Sequence, residues 1–418
     1  MRSAFERVQF DDRSDGAGTS GNDLLGNRDR THNSCLGAIR SAGDIPASAR
    51  AKECGEMWFD RYVIVGKLGE GAFSEVFLAA DTFIRRMGKK HDRTRLVTIK
   101  RMNTRDGLIG MSDYHIISQL NSLDPRSKVP ITESMDEFNS PGSSMATMRE
   151  VPGEHVCLVM EPLLGASLHE AFPQKIREIY TINDEVVAKR VHMGLIQTIG
   201  RQMLVAVAHL HNNSLIHADI KSSNVICADD SSLQVKLIDF GNAVGDRDVA
   251  EYYSTFEIQT VWFRAPEVAY QQPFGKAIDL WSIACILCEL WLGRSLFTDS
   301  NNRGLIRSMW KLRGPPPARI YSASPVYRSL VELWSVGPAV GFATPISPGQ
   351  QHGQSAGGSK SSLSWDSQVR RQWLKYSLRV DDDDFVSLVD SLLEYDPEAR
   401  LTASEALEHP FFLGTFPS

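Results

Sequence analysis

His217-Ala218-Asp219-Ile220-Lys221-Ser222-Ser223-Asn224 leads, a short run later, to Asp239-Phe240-Gly241. The run from Gly194 to His211 that precedes it carries apolar residues at helical spacing, so the chain leaves a helix and enters a turn dense in ionisable groups. Two aspartates, a lysine and an asparagine then stand at fixed, short intervals. In isolation such a pattern arises in ordinary turns. Its weight rests on the order of what surrounds it.

The chain has 418 residues, 42% of them hydrophobic and 23% charged, with a formal net charge of −6. That length exceeds what one core comfortably supports, and two lobes with tails fit it. The composition is that of an ordinary globular protein and gives no general pull towards nucleic acid or anionic membrane. Six scattered cysteines (35, 54, 157, 227, 285 and 288) argue against a disulfide framework. Cys285 and Cys288 form a CxxC inside the apolar run from Ala277 to Cys288, where helix packing is the better reading than zinc or redox chemistry. No apolar stretch approaches the roughly 20 residues of a membrane span, and the amino terminus lacks a secretory signal core. A cytoplasmic or nuclear monomer with no membrane partner is expected.

Residues 1 to 56, rich in Ser, Gly, Asn and Asp, read as a disordered leader. Strand patterning begins with Tyr62 to Leu68 and Glu75 to Ala79, joined by a Gly-rich turn, and continues in Arg95 to Lys100. The basic stretch between the second and third strands reads as a solvated loop. Helical spacing appears around Met111 to Leu120 and returns in Ile278–Trp291 and Phe385–Leu393. The prediction is therefore a strand-rich lobe over 57–161 and a helical lobe over 162–413, interrupted by a Gly, Ser and Pro-rich insertion at about 336–366 and closed by a tail at 414–418.

Further stretches fall in a telling order around the opening one. Gly69-Glu70-Gly71-Ala72-Phe73-Ser74-Glu75-Val76 lies about 30 residues before Lys100, which ends Val97-Thr98-Ile99-Lys100. Val156 to Leu163 follows, and Thr260-Val261-Trp262-Phe263-Arg264-Ala265-Pro266-Glu267 and Tyr395-Asp396-Pro397-Glu398-Ala399-Arg400 come after Asp239. Taken together, residues 61 to about 413 resemble a eukaryotic protein kinase. Within that superfamily the Thr260–Glu267 segment is similar to the CMGC group, which includes cyclin-dependent, MAP, DYRK, Clk and SR-protein kinases. Ala72-Phe73-Ser74, His-Ala-Asp-Ile-Lys, Gly241-Asn242-Ala243 and Glu257-Ile258-Gln259-Thr260 look most like SR-protein kinases, whereas Ser222-Ser223 depart from them and Asn301 to Met309 resembles another splicing-kinase branch.

The resemblance implies an α+β bilobal fold and a Ser/Thr protein kinase using ATP and Mg²⁺ on protein substrates, possible Arg/Ser-rich ones among them. Asp219 would orient the attacking hydroxyl, Lys221 would neutralise transferred charge, and Asn224 and Asp239 would hold metal. Thr260 would bond Asp219 and Lys221. Leu68, Gly69, Gly71, Ser74 and Val76 would cover the nucleotide, with Thr98 in its roof, Met160 behind the base, and backbone groups of Glu161 and Leu163 bonding the base. Lys100 would reach the phosphates. Its usual glutamate partner is absent, and Asp113 is the best candidate because Ile116, Ile117 and Leu120 follow at +3, +4 and +7 and turn that face inward. Glu267 is expected to pair with Arg400, and Asp279 to brace the catalytic-loop backbone. Ala218 replaces an arginine that in many kinases binds a phosphorylated activation loop, and Glu257 would supply a carboxylate in place of a phosphotyrosine. Asp113, Thr98 and Ser74 also leave open a kinase fold that binds nucleotide or protein without transfer.

Overall fold

A computed structural model describes residues 54–59, 61–71, 73–82, 95–103, 107–124, 156–228, 233–252, 258–336 and 367–414. The leader up to residue 53, most of the basic loop, Ala72, Glu257 and insertion residues 337–366 lie outside them. Five strands form one antiparallel sheet in chain order: β1 (Met57–Trp58), β2 (Tyr62–Glu70), β3 (Ser74–Asp81), β4 (Arg95–Met102) and β5 (Cys157–Met160). Their β-branched and aromatic residues suit a pleated surface buried on both sides. The sheet begins at Met57, ahead of the first strand expected at Tyr62, and its edge is extended where Gly55 N donates to Ile64 O (2.8 Å) and Ile64 N to Glu56 O (2.9 Å).

Side chains alternate between the two faces of each strand. Val97 and Ile99 pack with Trp58, Tyr62, Ile64 and Phe77 on one face, and the Arg101 guanidinium caps that cluster 4.9 Å from the centroids of Trp58 and Phe77. Thr98 and Lys100 therefore share the opposite face, which looks into the cleft. Helix α1 (Gly107–Leu123) crosses from the sheet to the second lobe. Its Ile117 and Leu120 belong to the large core of that lobe, and His209 Nε2 donates to Leu120 O at 3.2 Å.

The second lobe is helical. Its main members are α2 (Leu168–Ile179), α3 (Glu185–Asn212), α4 (Ala277–Leu292), α5 (Asn302–Arg313), α6 (Pro325–Val336), α7 (Ser367–Leu378) and α8 (Asp383–Leu392). A capping box of Ser167 and Glu170 starts α2, and Asp184 caps α3. α3 and α4 lie so close that a Cβ on Gly200 would sit 2.8 Å from Leu287 Cδ2, so only glycine fits without a shift. Cys285 and Cys288 are free and buried within α4. Burial pushes both thiols up, which leaves them as packing groups.

Two short ladders set the site. β6 (Leu215–Ile216) pairs with β9 (Val244–Gly245), and β7 (Val225–Cys227) with β8 (Val235–Leu237). The stretch His217–Asn224 spans β6 to β7, and Asp239–Gly241 lies between β8 and β9. Nested pairing, β7–β8 inside β6–β9, thus brings both acidic turns to one place, within reach of Lys100 on the sheet.

Candidate active site

Asp279, fully buried near the start of α4, organises the first turn. Its Oδ2 accepts from His217 N and His211 Nε2, both at 2.9 Å, and its Oδ1 accepts from Ala218 N at 3.0 Å. Ala218 is held at φ 62°, Asp239 at 66° and Gln259 at 61°. A left-handed conformation costs a residue with a Cβ on the order of 1–2 kcal/mol. Each is held by neighbours: Ala218 by Asp279, Gln259 by its N–H to Ala218 O at 3.0 Å, and Asp239 by the ion pair described below.

Asp219 stands at the centre of the next layer. Its Oδ1 accepts from Thr260 N (3.0 Å) and Thr260 Oγ1 (2.8 Å), and its Oδ2 from Lys221 Nζ (2.8 Å). Lys221 Nζ also reaches Thr260 Oγ1 at 3.3 Å. Asn224 Nδ2 donates to Asp219 O at 3.0 Å, which directs its amide oxygen away from the backbone as an acceptor. A carboxylate, an ammonium and a hydroxyl are thereby fixed side by side on a rigid frame.

Lys100 spans the two lobes. Its Nζ lies 2.7 Å from Asp113 Oδ2 and 2.7 Å from Asp239 Oδ1. Asp113 is 1% exposed, and its second oxygen accepts from Phe240 N at 2.9 Å. Burial alone would lower the pKa of Lys100, but the carboxylates of Asp113 and Asp239 outweigh it and hold the ammonium above the ordinary lysine range. Burial pushes the Asp113 carboxyl up, against the pull of Lys100. For Asp239, burial also pushes upward, yet Lys100 wins and keeps it below the usual range. The inward face read from Ile116, Ile117 and Leu120 does carry Asp113 to Lys100. Nothing in the sequence signalled its bond to Phe240, whose partner is 127 residues away.

The roof over Lys100 is the β2–β3 turn. A Cβ added at Gly69 would meet nothing within 4 Å, and one at Gly71 only Ser74 O at 3.8 Å. The two glycines here are not required by backbone conformation. The space around both is open. Leu68 is exposed, Ser74 is buried, and Val76 pairs in register with Lys100. Glu75 ties the turn down through Lys67 (2.7 Å) and Arg101, a network the sequence reading missed. Thr98 pairs with Met160, the last residue of β5. Beyond it Glu161 is bound to Lys236 Nζ at 2.7 and 2.8 Å, while Leu163 is partly exposed along the connection to α2.

From Ile258 to Ala265 the segment is fixed chiefly through the Gln259 side-chain amide and backbone carbonyls. Gln259 Nε2 donates to Ser282 Oγ (2.8 Å) and Ile278 O (3.1 Å), and its Oε1 accepts from Ala265 N (2.9 Å). Arg264 donates to Gln259 O at 2.7 Å. Glu267 meets Arg400 in a bidentate pair at 2.7 and 2.9 Å, fully out of solvent.

A turn with open space at Gly69 and Gly71, a bridging lysine, and a second lobe that presents an aspartate beside a lysine suit phosphoryl transfer. Residues 62–412 match the protein kinase domain family, and the chain belongs to it. It is similar to the serine/threonine-protein kinase ppk5 of Schizosaccharomyces pombe, 27% identical over 85% of this chain and 36% of that protein. The dual specificity protein kinase CLK2 of Homo sapiens is 26% identical over 86% of this chain and 65% of its own length. The DYRK-family kinase pom1 of Schizosaccharomyces pombe is 25% identical over 85% of this chain and 28% of that protein. The chain therefore spans only part of the length of these relatives, and it falls in the CMGC group. Two of these relatives are a CLK kinase and a DYRK-family kinase, so the finer likeness to SR-protein kinases fits more loosely.

Proposed function

We propose that the protein is a Ser/Thr protein kinase that transfers the γ-phosphoryl group of ATP to protein hydroxyls. The observation that carries this reading is the Asp219–Lys221–Thr260 cluster, assembled opposite a Lys100 already paired with Asp113 and Asp239. The substrate hydroxyl attacks phosphorus, its proton passes to the Asp219 carboxylate, and the bond to ADP breaks. Lys221 offsets charge on the moving group. Lys100 orients the α and β phosphates, and the open space at Gly69 and Gly71 admits them. Asp239 and Asn224 offer the hard oxygen donors that suit Mg²⁺, which when bound neutralises phosphate charge. Leu68, Val76, Thr98, Met160, Glu161 and Leu163 enclose the base in this reading.

Arg/Ser-rich proteins are the proposed substrate class, supported by the SR-protein-kinase details in the sequence and by a net charge of −6 that favours a basic partner. The protein is proposed to act as a monomer in the cytoplasm or nucleus. Transfer from Mg-ATP to an Arg/Ser-repeat peptide, against an acidic Ser-containing peptide as control, tests the substrate. Nucleotide binding without transfer to any protein would favour a scaffold role instead.

Two expected results arise from the site. Asp113→Glu restores the residue common in the superfamily, yet it should lower kcat/KM by about ten- to a hundredfold, because an added methylene displaces Lys100 or Phe240 in a site with no slack. Steady-state kinetics with varied ATP measure it. Phosphatase treatment should leave at least about half of the activity, because Gln259 and Arg264 hold the segment from Ile258 onward by amide and carbonyl contacts in place of a phosphate anchored by a cluster of cations. Loss of activity on dephosphorylation refutes that point.

A further inference from the structure

Thr98 Oγ1 is buried and has no hydrogen-bond partner among the described residues. The residue as a whole is 7% exposed. A buried hydroxyl in this state has given up water and gained nothing in return, which is why folded proteins seldom keep one. Its surroundings show where a partner must come from. β4 is an inner strand, flanked by β3 and β5, and Thr98 stands in register between Leu78 and Met160, both apolar. Because Val97 and Ile99 fill the core on one face, Thr98 shares the cleft face with Lys100. The two residues are about 7 Å apart along the strand, and Thr98 is the one paired with the end of β5. It thus stands at the end of the cleft away from the phosphate-binding lysine. Rotation about χ1 between staggered positions exchanges the hydroxyl with a methyl group of similar size.

We propose that Thr98 reads the base: its hydroxyl turns into the cleft and hydrogen-bonds the purine ring of a bound adenine nucleotide. A hydroxyl donates and accepts, so it suits a ring nitrogen or an exocyclic amine. The inference rests on the kinase reading above and adds a specificity contact to it.

Isothermal titration of the full chain with a magnesium-bound non-hydrolysable ATP analogue, and separately with adenosine, tests it. Thr98→Val keeps the shape and removes the hydroxyl; it should weaken both ligands about tenfold, roughly the worth of one hydrogen bond. Thr98→Ser keeps the hydroxyl and should stay within about twofold of the parent protein. If Thr98→Val fails to fold, Thr98→Ala makes the same comparison. Equal or tighter binding by the Val variant overturns the proposal, and so does weakening of the ATP analogue without adenosine, which would place the contact at the phosphates. A parent protein that binds neither ligand removes the kinase reading itself, whereas one that binds both equally with its Val variant removes this inference alone.

Discussion

Asp219→Asn is expected to lower phosphoryl transfer by about a thousandfold while Mg-ATP affinity changes by no more than about threefold. The side chain accepts three hydrogen bonds, two from Thr260 and one from Lys221. Asparagine retains one oxygen and the same outline, so the frame set by Asp279 survives. It loses the negative charge that orients and receives a proton, and its NH2 faces a donor where a carboxylate oxygen had been. In the proposed function the nucleotide would be held elsewhere, by Lys100 and the turn around Gly69 and Gly71, so binding is expected to be spared. Initial rates on a basic Ser-containing substrate, with nucleotide affinity measured in parallel, give both numbers. Transfer that persists at near the parent rate would show that Asp219 is not the reacting carboxylate.

Arg400→Met is expected to cost about 3–5 kcal/mol of stability, read as a drop in the urea midpoint. Both members of the Glu267–Arg400 pair are out of solvent, with side-chain exposures of 2% and 0%. Arg400 also donates to Glu394 O at 2.9 Å and Ala277 O at 2.8 Å, and its guanidinium lies 5.4 Å from the Trp281 ring centroid. Removing it strands a carboxylate and two carbonyls. Adding Glu267→Gln to that variant should recover part of the loss, because the stranded charge is gone. That partial recovery separates the cost of an orphaned charge from the worth of the pair. Because Glu267 closes the segment that begins at Ile258, activity should fall with stability and recover with it.

Much of this was legible along the chain. His217–Asn224 and Asp239–Gly241 are local patterns, readable because the chemistry proposed for these two turns needs those residue types within a few positions of one another. The inward face of α1 followed from Ile116, Ile117 and Leu120 by helical period alone. Gly69 and Gly71 were legible as part of a Gly-rich turn, and the open space around them is what the structure adds. Gln259 was visible only as a likeness, since its amide gathers Ser282, Ile278 and Ala265 from a separate helix and turn. The basic loop, Glu257 and the Gly, Ser and Pro-rich insertion beyond Val336 lie outside the described residues.

By itself the sequence determined the two-lobed fold and the kinase family and nominated the side chains proposed to react, because each depends on short-range spacing and hydrophobic period. Only the tertiary structure decided that Lys100 meets both Asp113 and Asp239, the latter 139 residues away. It alone decided that the remaining oxygen of Asp113 holds Phe240, and that Thr98 keeps a hydroxyl unpartnered among the described residues. Hydrogen bonds act over about 3 Å, and no periodicity in one dimension reports which distant groups the packed lobes bring within that reach.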